Sequence, residues 1–265
     1  IVVDNHSDDN TDEVVESFLN LDITLLKIHN KGVIGSSRNL GLTHATGDWV
    51  AFLDSDDFWY SGRISACAHL LNDGSRLDVI STDEVMVFSG TEKRRLLQHG
   101  PSSDDMYRDM ILFGNRLSPS ATLVRRSFLT LNNLKFSESI LHVTVEDYEF
   151  WLQLARHSAK FNFIRSVQGT YNIHGDNASS RIDVHSAAER RVLKMHTLDL
   201  QDFEINKRKL WRKVRSRIYL GQGLRRLRAL QFWRALLLLI KSYFLSPFGI
   251  IKLVWMKTKT AQKQA

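Results

Sequence analysis

Cysteine is almost absent from this 265-residue chain. The single one, Cys67, lies among Ala66, Ala68, Leu70 and Leu71, so it reads as a buried, reduced thiol, and a disulfide framework is excluded. Zinc-type Cys/His spacing, internal repeats and low-complexity tracts are also missing, and only three prolines punctuate the chain. Nor is there a secretory signal: Ile1, Val2 and Val3 run straight into Asp4, with neither a basic segment nor a long apolar core. No initiator Met precedes them, so the start reads as a cut. The most apolar stretch, FWRALLLLIKSYFLSPFGIIKLVW at 232–255, is interrupted by Lys241, Pro247 and Lys252, which a clean transmembrane span would avoid. What remains is 43% hydrophobic and 25% charged, enough to bury a real core and to exclude disorder for most of the length.

Charge divides the chain in two. The net charge of +7 conceals 16 Lys and Arg against the single acid Glu204 from Phe203 onward, while residues 1–202 carry 20 basic and 28 acidic residues. These become two expected domains, 1–202 and 203–265. In the first, short apolar runs (Ile1–Val3, Ile23–Ile28, Trp49–Leu53, Leu77–Ile80) alternate with helical patterns (Thr11–Leu19, Ser37–Ala45, Ser61–Leu71), which predicts an α/β fold with a mostly parallel, Rossmann-like sheet flanked by helices. Thr11 is the expected N-cap of the first helix.

Against that pattern GDWVAFLDSDDFW, residues 47–59, stands out, because a strand runs directly into Asp54, Asp56 and Asp57. Like charges this close repel, and a bound cation is the usual resolution. The carboxyl ends of strands are also where open α/β sheets bind ligands. Three readings compete: a solvated acidic loop, an aspartyl phosphotransferase and a nucleotide-sugar site. The second fits poorly, since Phe58 stands where that chemistry wants Thr or Val.

The surroundings favour the third reading. NKGVIGSSRNLGLTHATGDWVAFLDSDDFW at 30–59 resembles the signature of the family 2 glycosyltransferases, VVDNHSDDNTDEVV at 2–15 resembles that family's preceding strand and nucleotide-binding turn, VEDYEFWLQLA at 145–155 its Glu-Asp helix, and YNIHGDNASS at 171–180 its downstream loop. The four matches come in family order. The resemblance implies a GT-A fold and an inverting, metal-dependent transfer of a sugar from a nucleotide-sugar, a UDP-sugar by expectation, to an acceptor hydroxyl in polysaccharide or glycoconjugate assembly. The family usually opens with a further strand and helix ahead of the one at Ile1–Val3, so the resemblance also implies an N-terminally truncated member.

Roles follow from the resemblance. Asp4 would accept from the base, Arg38 would contact base or diphosphate, and Asp54 would bind the ribose or, through water, the metal. Asp56 would ligate a divalent cation, Mn2+ or Mg2+, with His174 either joining it or donating to the diphosphate. Asp57 would hydrogen-bond to the sugar or cap its own loop. Asp147 is the candidate base, with Glu146 positioning the acceptor; the competing reading is that acids in a first turn only favour the helix dipole. Ser120, within a strand-like Ser118, Ser120, Thr122 alternation, together with Asn177 and Ser179, would face the acceptor or the diphosphate.

The basic segment gives a further expectation. Trp211, Val214 and Ile218, then Leu224, Leu227 and Leu230, recur at helical spacing with Lys and Arg on the other face, a basic amphipathic helix. Followed by an apolar run interrupted by lysines, it reads as a tail lying in a membrane interface, with no nucleic acid as partner. The expected enzyme is cytoplasmic, held peripherally at the inner face of the plasma membrane, where a saccharide or lipid-linked acceptor would meet it. The alternative from another class is a non-catalytic membrane-binding protein with an inactive glycosyltransferase-like domain.

Overall fold

A computed structural model describes residues 1–18, 20–72, 76–175 and 181–247. It divides into two compact units, one of residues 1–102 and 116–175 and one of residues 103–115 and 176–265. The charge change at 202/203 falls inside the second.

The first unit is an α/β assembly. In chain order its strands are β1 (Val2–Asp4), β2 (Leu25–Lys27), β3 (Trp49–Ala51), β4 (Phe58–Trp59), β5 (Val79–Phe88), β6 (Arg94–Leu97), β7 (Thr122–Arg125) and β8 (Phe161–Ile173). Among helices numbered along the whole chain it holds α1 (Thr11–Glu16), α2 (Ile34–His44), α3 (Arg63–Asn72), α5 (Arg126–Asn132) and α6 (Glu146–Arg156). The α/β reading therefore stands, but the sheet is mixed rather than mostly parallel. Pairing is parallel for β1–β2 and β5–β8 and antiparallel for β3–β7, β5–β7, β5–β6 and β4–β8. The strand and helix alternation covered only the first 80 residues; beyond them β5 turns into β6 across residues 89–93, far too short for a parallel crossover. β1 and β2 form their own two-stranded sheet, and β3 is an edge strand paired with β7 alone, so β1 and β3 each keep one side without a strand partner among the described residues.

Two apolar layers hold the unit. On one, Cys67 of α3 is fully buried against Ile80 and Leu123, with Trp49, Leu70, Leu77 and Ile164 around them. On the other, Phe136 stacks on Phe150 with centroids 4.0 Å apart and meets Phe52 edge-on at 5.2 Å, while Trp151, Leu152 and Leu154 of α6 are fully buried. Asn39 fastens α2 to that layer, exchanging hydrogen bonds of 2.9 Å with the main chain of Phe136. Gly35, one turn earlier, lies so close to Ser137 that a side chain would strike its carbonyl oxygen. The N-cap of α1 is Asn10, not Thr11, whose amide instead donates to the Asp9 carboxylate at 3.0 Å.

The second unit is helical: α4 (Met106–Phe113), α7 (Ile182–Met195), α8 (Lys207–Arg228) and α9 (Phe232–Leu245). The expected amphipathic helix is α8, which buries Leu210, Val214 and Ile218. Leu230 takes a positive φ of 56° and reverses the chain. α9 then packs antiparallel along α8, with the Ser216 hydroxyl donating to the Ser242 carbonyl at 2.8 Å and Gly223 under Leu239. Several arginines of the basic face are spent inside the unit: Arg217 lies 2.9 Å from Glu189, and Arg226 pairs with Asp183. Among the described residues no helix is long and apolar enough to cross a membrane.

Candidate active site

The acidic loop leaves β3 and is held by its main chain. The Asp54 amide donates to the Ser120 hydroxyl at 3.1 Å, the Asp57 amide to the Asp54 carbonyl at 3.0 Å, and the Trp59 indole N–H to the Ser120 carbonyl at 2.7 Å. The end of β8 runs alongside: the Asn172 amide donates to Asp57 Oδ1 at 2.9 Å, its side-chain amide donates to the Asp56 carbonyl, and His174 Nε2 lies 2.9 Å from Asp56 Oδ2. Asp57 Oδ2 is buried and makes no hydrogen bond. Burial pushes the Asp57 carboxyl up to about 6, against the Ser120 side chain and the Asn172 amide, with the Asp56 and Glu84 charges adding to the rise.

Arg38 joins this loop to α6. One arm of its guanidinium is 2.6 Å from Asp54 Oδ1 and the other 2.8 Å from Glu146 Oε1, with the ring of Phe136 behind it at 5.3 Å. Burial works against its charge, and the Asp54, Glu146 and Asp147 carboxylates outweigh that, so its pKa is raised and it stays a cation. Asp147 feels the opposite balance. Burial and the Glu146 charge push its carboxyl up to about 7, against the pull of Arg38 and the Tyr148 amide. Three acids in the first turn of α6 do suit the helix dipole, but Glu146 and Glu149 are buried, which a dipole effect alone would not require.

Not every expected residue joins this cluster. Asp4, at the end of β1, is held by Lys27 Nζ at 2.7 Å and by the Ser7 amide and hydroxyl, and Lys27 followed by Ser7 lowers its pKa to about 2. Its partners belong to its own two-stranded sheet and the turn after it. Asn177 and Ser179 lie outside the described residues. Ser120 acts through both its hydroxyl and its carbonyl as the fastening of the acidic loop.

Two residues with no assigned role in the sequence reading belong to the cluster. Tyr171 is pushed up to about 12 by burial and then by the charges of Asp147, Asp57, Asp54 and Asp56, which places its phenol in the field of all four. Glu84, buried on β5, accepts from the Ser118 hydroxyl at 2.5 Å and lies 3.0 Å from His99 Nε2. It thereby ties down the Ser118–Ser120 turn that carries the acidic loop. A buried carboxylate in the middle of VISTDEVMVF was the available signal.

Residues 1–130 match the glycosyl transferase family 2 profile. The chain belongs to that family. This glycosyltransferase is 26% identical over 201 residues to the Escherichia coli UDP-Glc:alpha-D-GlcNAc-diphosphoundecaprenol beta-1,3-glucosyltransferase WfaP, which spans 73% of each protein. Its fold is that of Staphylococcus aureus TarS 1–349, solved in complex with UDP-GlcNAc, with a TM-score of 0.57 at 18% identity over 91% of this chain and 79% of that one. Pyrobaculum calidifontis PcManGT, solved with GDP-Man and Mn2+, gives a TM-score of 0.54 at 14% identity over 98% and 70%. These are GT-A glycosyltransferases, and the chain is an enzyme of glycan biosynthesis built on their fold. The family match ends before Glu146, so the glycosyltransferase's candidate base stands on geometry.

Proposed function

We propose that this glycosyltransferase moves a sugar from a UDP-sugar, with inversion, to a hydroxyl of a saccharide or lipid-linked acceptor at a membrane surface. The observation that carries this is the Arg38 fork, which gathers Asp54 at a strand end and Glu146–Asp147 at a helix start around one charge. In the reaction the acceptor oxygen bonds to the anomeric carbon as the bond from that carbon to the diphosphate breaks. Asp147 takes the acceptor's proton, and a carboxyl raised to about 7 is matched to that task near neutral pH. Glu146, fixed by Arg38, orients Asp147 and the acceptor. Asp54, Asp57 and Tyr171 face the donor, and Asp4 the base.

A divalent cation fits as a ligand shared with substrate. Among the described residues no three His, Cys, Asp or Glu side chains form a cage. Asp56 with His174 offers one carboxylate and one imidazole, and a small hard cation held by one or two carboxylates takes its other ligands from phosphate and water. Such a cation would neutralise the charge on the departing diphosphate. Membrane contact is supported by the outer face of α9, where Trp233, Leu237, Tyr243 and Phe244 are exposed.

The test is calorimetric titration of the chain with UDP, with and without Mn2+, for the native protein and Asp56→Ala. Metal-dependent binding that Asp56→Ala loses is the expected result. Equal binding with and without metal would overturn the shared-cation reading, and equal binding by Asp56→Ala would remove Asp56 from the site.

A further inference from the structure

The second unit holds a cavity of about 380 Å³ whose lining has no counterpart in the transfer chemistry. Its walls are Arg190, Arg191 and Lys194 from α7 and Trp211, Arg215 and Tyr219 from α8. The α8 residues recur every four positions and so share one face. No lining residue is acidic. The acids next to it on α7 are engaged elsewhere: Glu189 faces Arg217 at 2.9 Å and Arg225 at 3.7 Å, and Asp183 pairs with Arg226. The Arg215 guanidinium lies over the Tyr219 ring, 5.8 Å from its centroid. Burial raises the pKa of the Tyr219 phenol, and the Arg215 and Arg190 guanidiniums outweigh burial and lower it.

Arg190, Lys194 and Arg215 around one recess repel one another, and an anion seated there relieves all three. Guanidinium forks match phosphate oxygens bidentately, while lysine adds a point charge. The volume lies at the small end of the ~300–1,000 Å³ range of ligand pockets, enough for one or two phosphate groups.

We infer that the groove between α7 and α8 is a binding site for a phosphate-bearing anion, with Arg190, Lys194 and Arg215 as its ligands and Trp211 and Tyr219 as its walls. The phosphate comes either from a lipid headgroup or from a soluble phosphate ester. Its lining shares no residue with the carboxylate cluster, and the proposal does not depend on the roles given to that cluster.

The experiment uses the full chain in EDTA, which removes divalent cations from the carboxylate site. Two probes are compared: inorganic pyrophosphate by calorimetry, and phosphatidylcholine vesicles with or without phosphatidylglycerol by co-sedimentation. The groove variant is Arg190→Glu with Lys194→Glu, both exposed, so the fold is not at stake. A control of equal charge change, Arg208→Glu with Lys213→Glu, alters exposed α8 positions outside the lining. The expected result is pyrophosphate binding weakened at least tenfold by the groove variant and less than threefold by the control. If binding to phosphatidylglycerol vesicles falls in parallel and pyrophosphate competes for it, the source is a lipid headgroup. If vesicle binding is unchanged, the source is a soluble ester. Equal losses in the groove variant and the control, or no pyrophosphate binding by the native chain, would overturn the proposal, because either result reduces the groove to diffuse surface charge.

Discussion

Replacing Asp147 by Asn separates chemistry from folding, because it is expected to damage one and improve the other. The Asp147 carboxyl rises from 3.8 to about 7, burial being the main cause and the Glu146 charge the next. In the native state it therefore holds its proton over a pH range where the unfolded chain has lost it. Ionising it costs folding free energy, with nothing lost below pH 3.8 and the full cost reached above about 7. At about 1.4 kcal/mol per pH unit the shift corresponds to ~4 kcal/mol. Because the side chain is only half-buried, solvent screening reduces this to about 1–2 kcal/mol. Asn carries no charge at any of these pH values, and its carbonyl oxygen can still accept from the Tyr148 amide. Urea unfolding should find Asp147→Asn more stable than the native protein by about 1–2 kcal/mol at pH 8 and by about a third of that at pH 5. Turnover of a UDP-sugar should fall by ~10²–10⁴, the usual worth of a general base. In the native enzyme kcat/KM should rise with pH through about 7 as the base ionises. Turnover kept within a factor of ten, or an equal stability gain at both pH values, would refute Asp147 as a base whose proton is held by burial.

Other changes test the support of the site. Arg38→Met leaves Asp54 and Glu146 facing each other without a cation and should lower unfolding free energy by ~3–5 kcal/mol, with Arg38→Lys recovering part of it; a loss under 1 kcal/mol by urea titration would show that the fork carries little. Gly35→Ala drives a methyl group into the Ser137 carbonyl and should destabilise by ~1–3 kcal/mol. In α8, Gly221→Ala meets nothing and should be neutral or stabilising by up to ~1 kcal/mol, so calorimetric melting temperatures should move in opposite directions. Glu84→Ala strips Ser118 and His99 of a shared acceptor and should cost ~1.5–3 kcal/mol, while Glu84→Gln retains most of the stability. A similar loss in both variants would assign the effect to charge instead of to the hydrogen bonds.

Much of the scaffold was legible because its signals are local. Apolar runs flanked by helical periodicity marked β1, β2, β3, α1, α2 and α3 to within a few residues, and the acidic burst after β3 marked the loop that the site is built on. Strand β5 was not legible beyond Ile80, because Ser81 to Glu84 read as polar; they are buried, with Thr82 hydrogen-bonded to Arg63 at 2.6 Å and Asp83 accepting from the His99 amide at 3.0 Å. A partner supplied from sixteen or more residues away leaves no local trace. Sheet pairing was misjudged for the same reason, since β7 and β8 reach β5 from far along the chain. The Arg38 to Glu146 contact spans 108 positions and could be expected only through the resemblance that placed both motifs in one family. The noise of ten histidines and a diffuse basic segment hid the α7 groove, which requires two helices to be seen side by side.

The fastening at Ser120 bears on how such an enzyme can change its substrate. One residue holds the acidic loop through the Asp54 amide and the Trp59 indole, and neither grip uses a carboxylate. Other grips do use carboxylates, the Asn172 amide on Asp57 and the Arg38 guanidinium on Asp54, so loop shape and loop chemistry are only partly separable. Loss of the Asp54 or Asp57 carboxylate removes an anchor together with a charge, whereas the Ser120 carbonyl that takes the Trp59 indole persists whatever side chain stands at position 120.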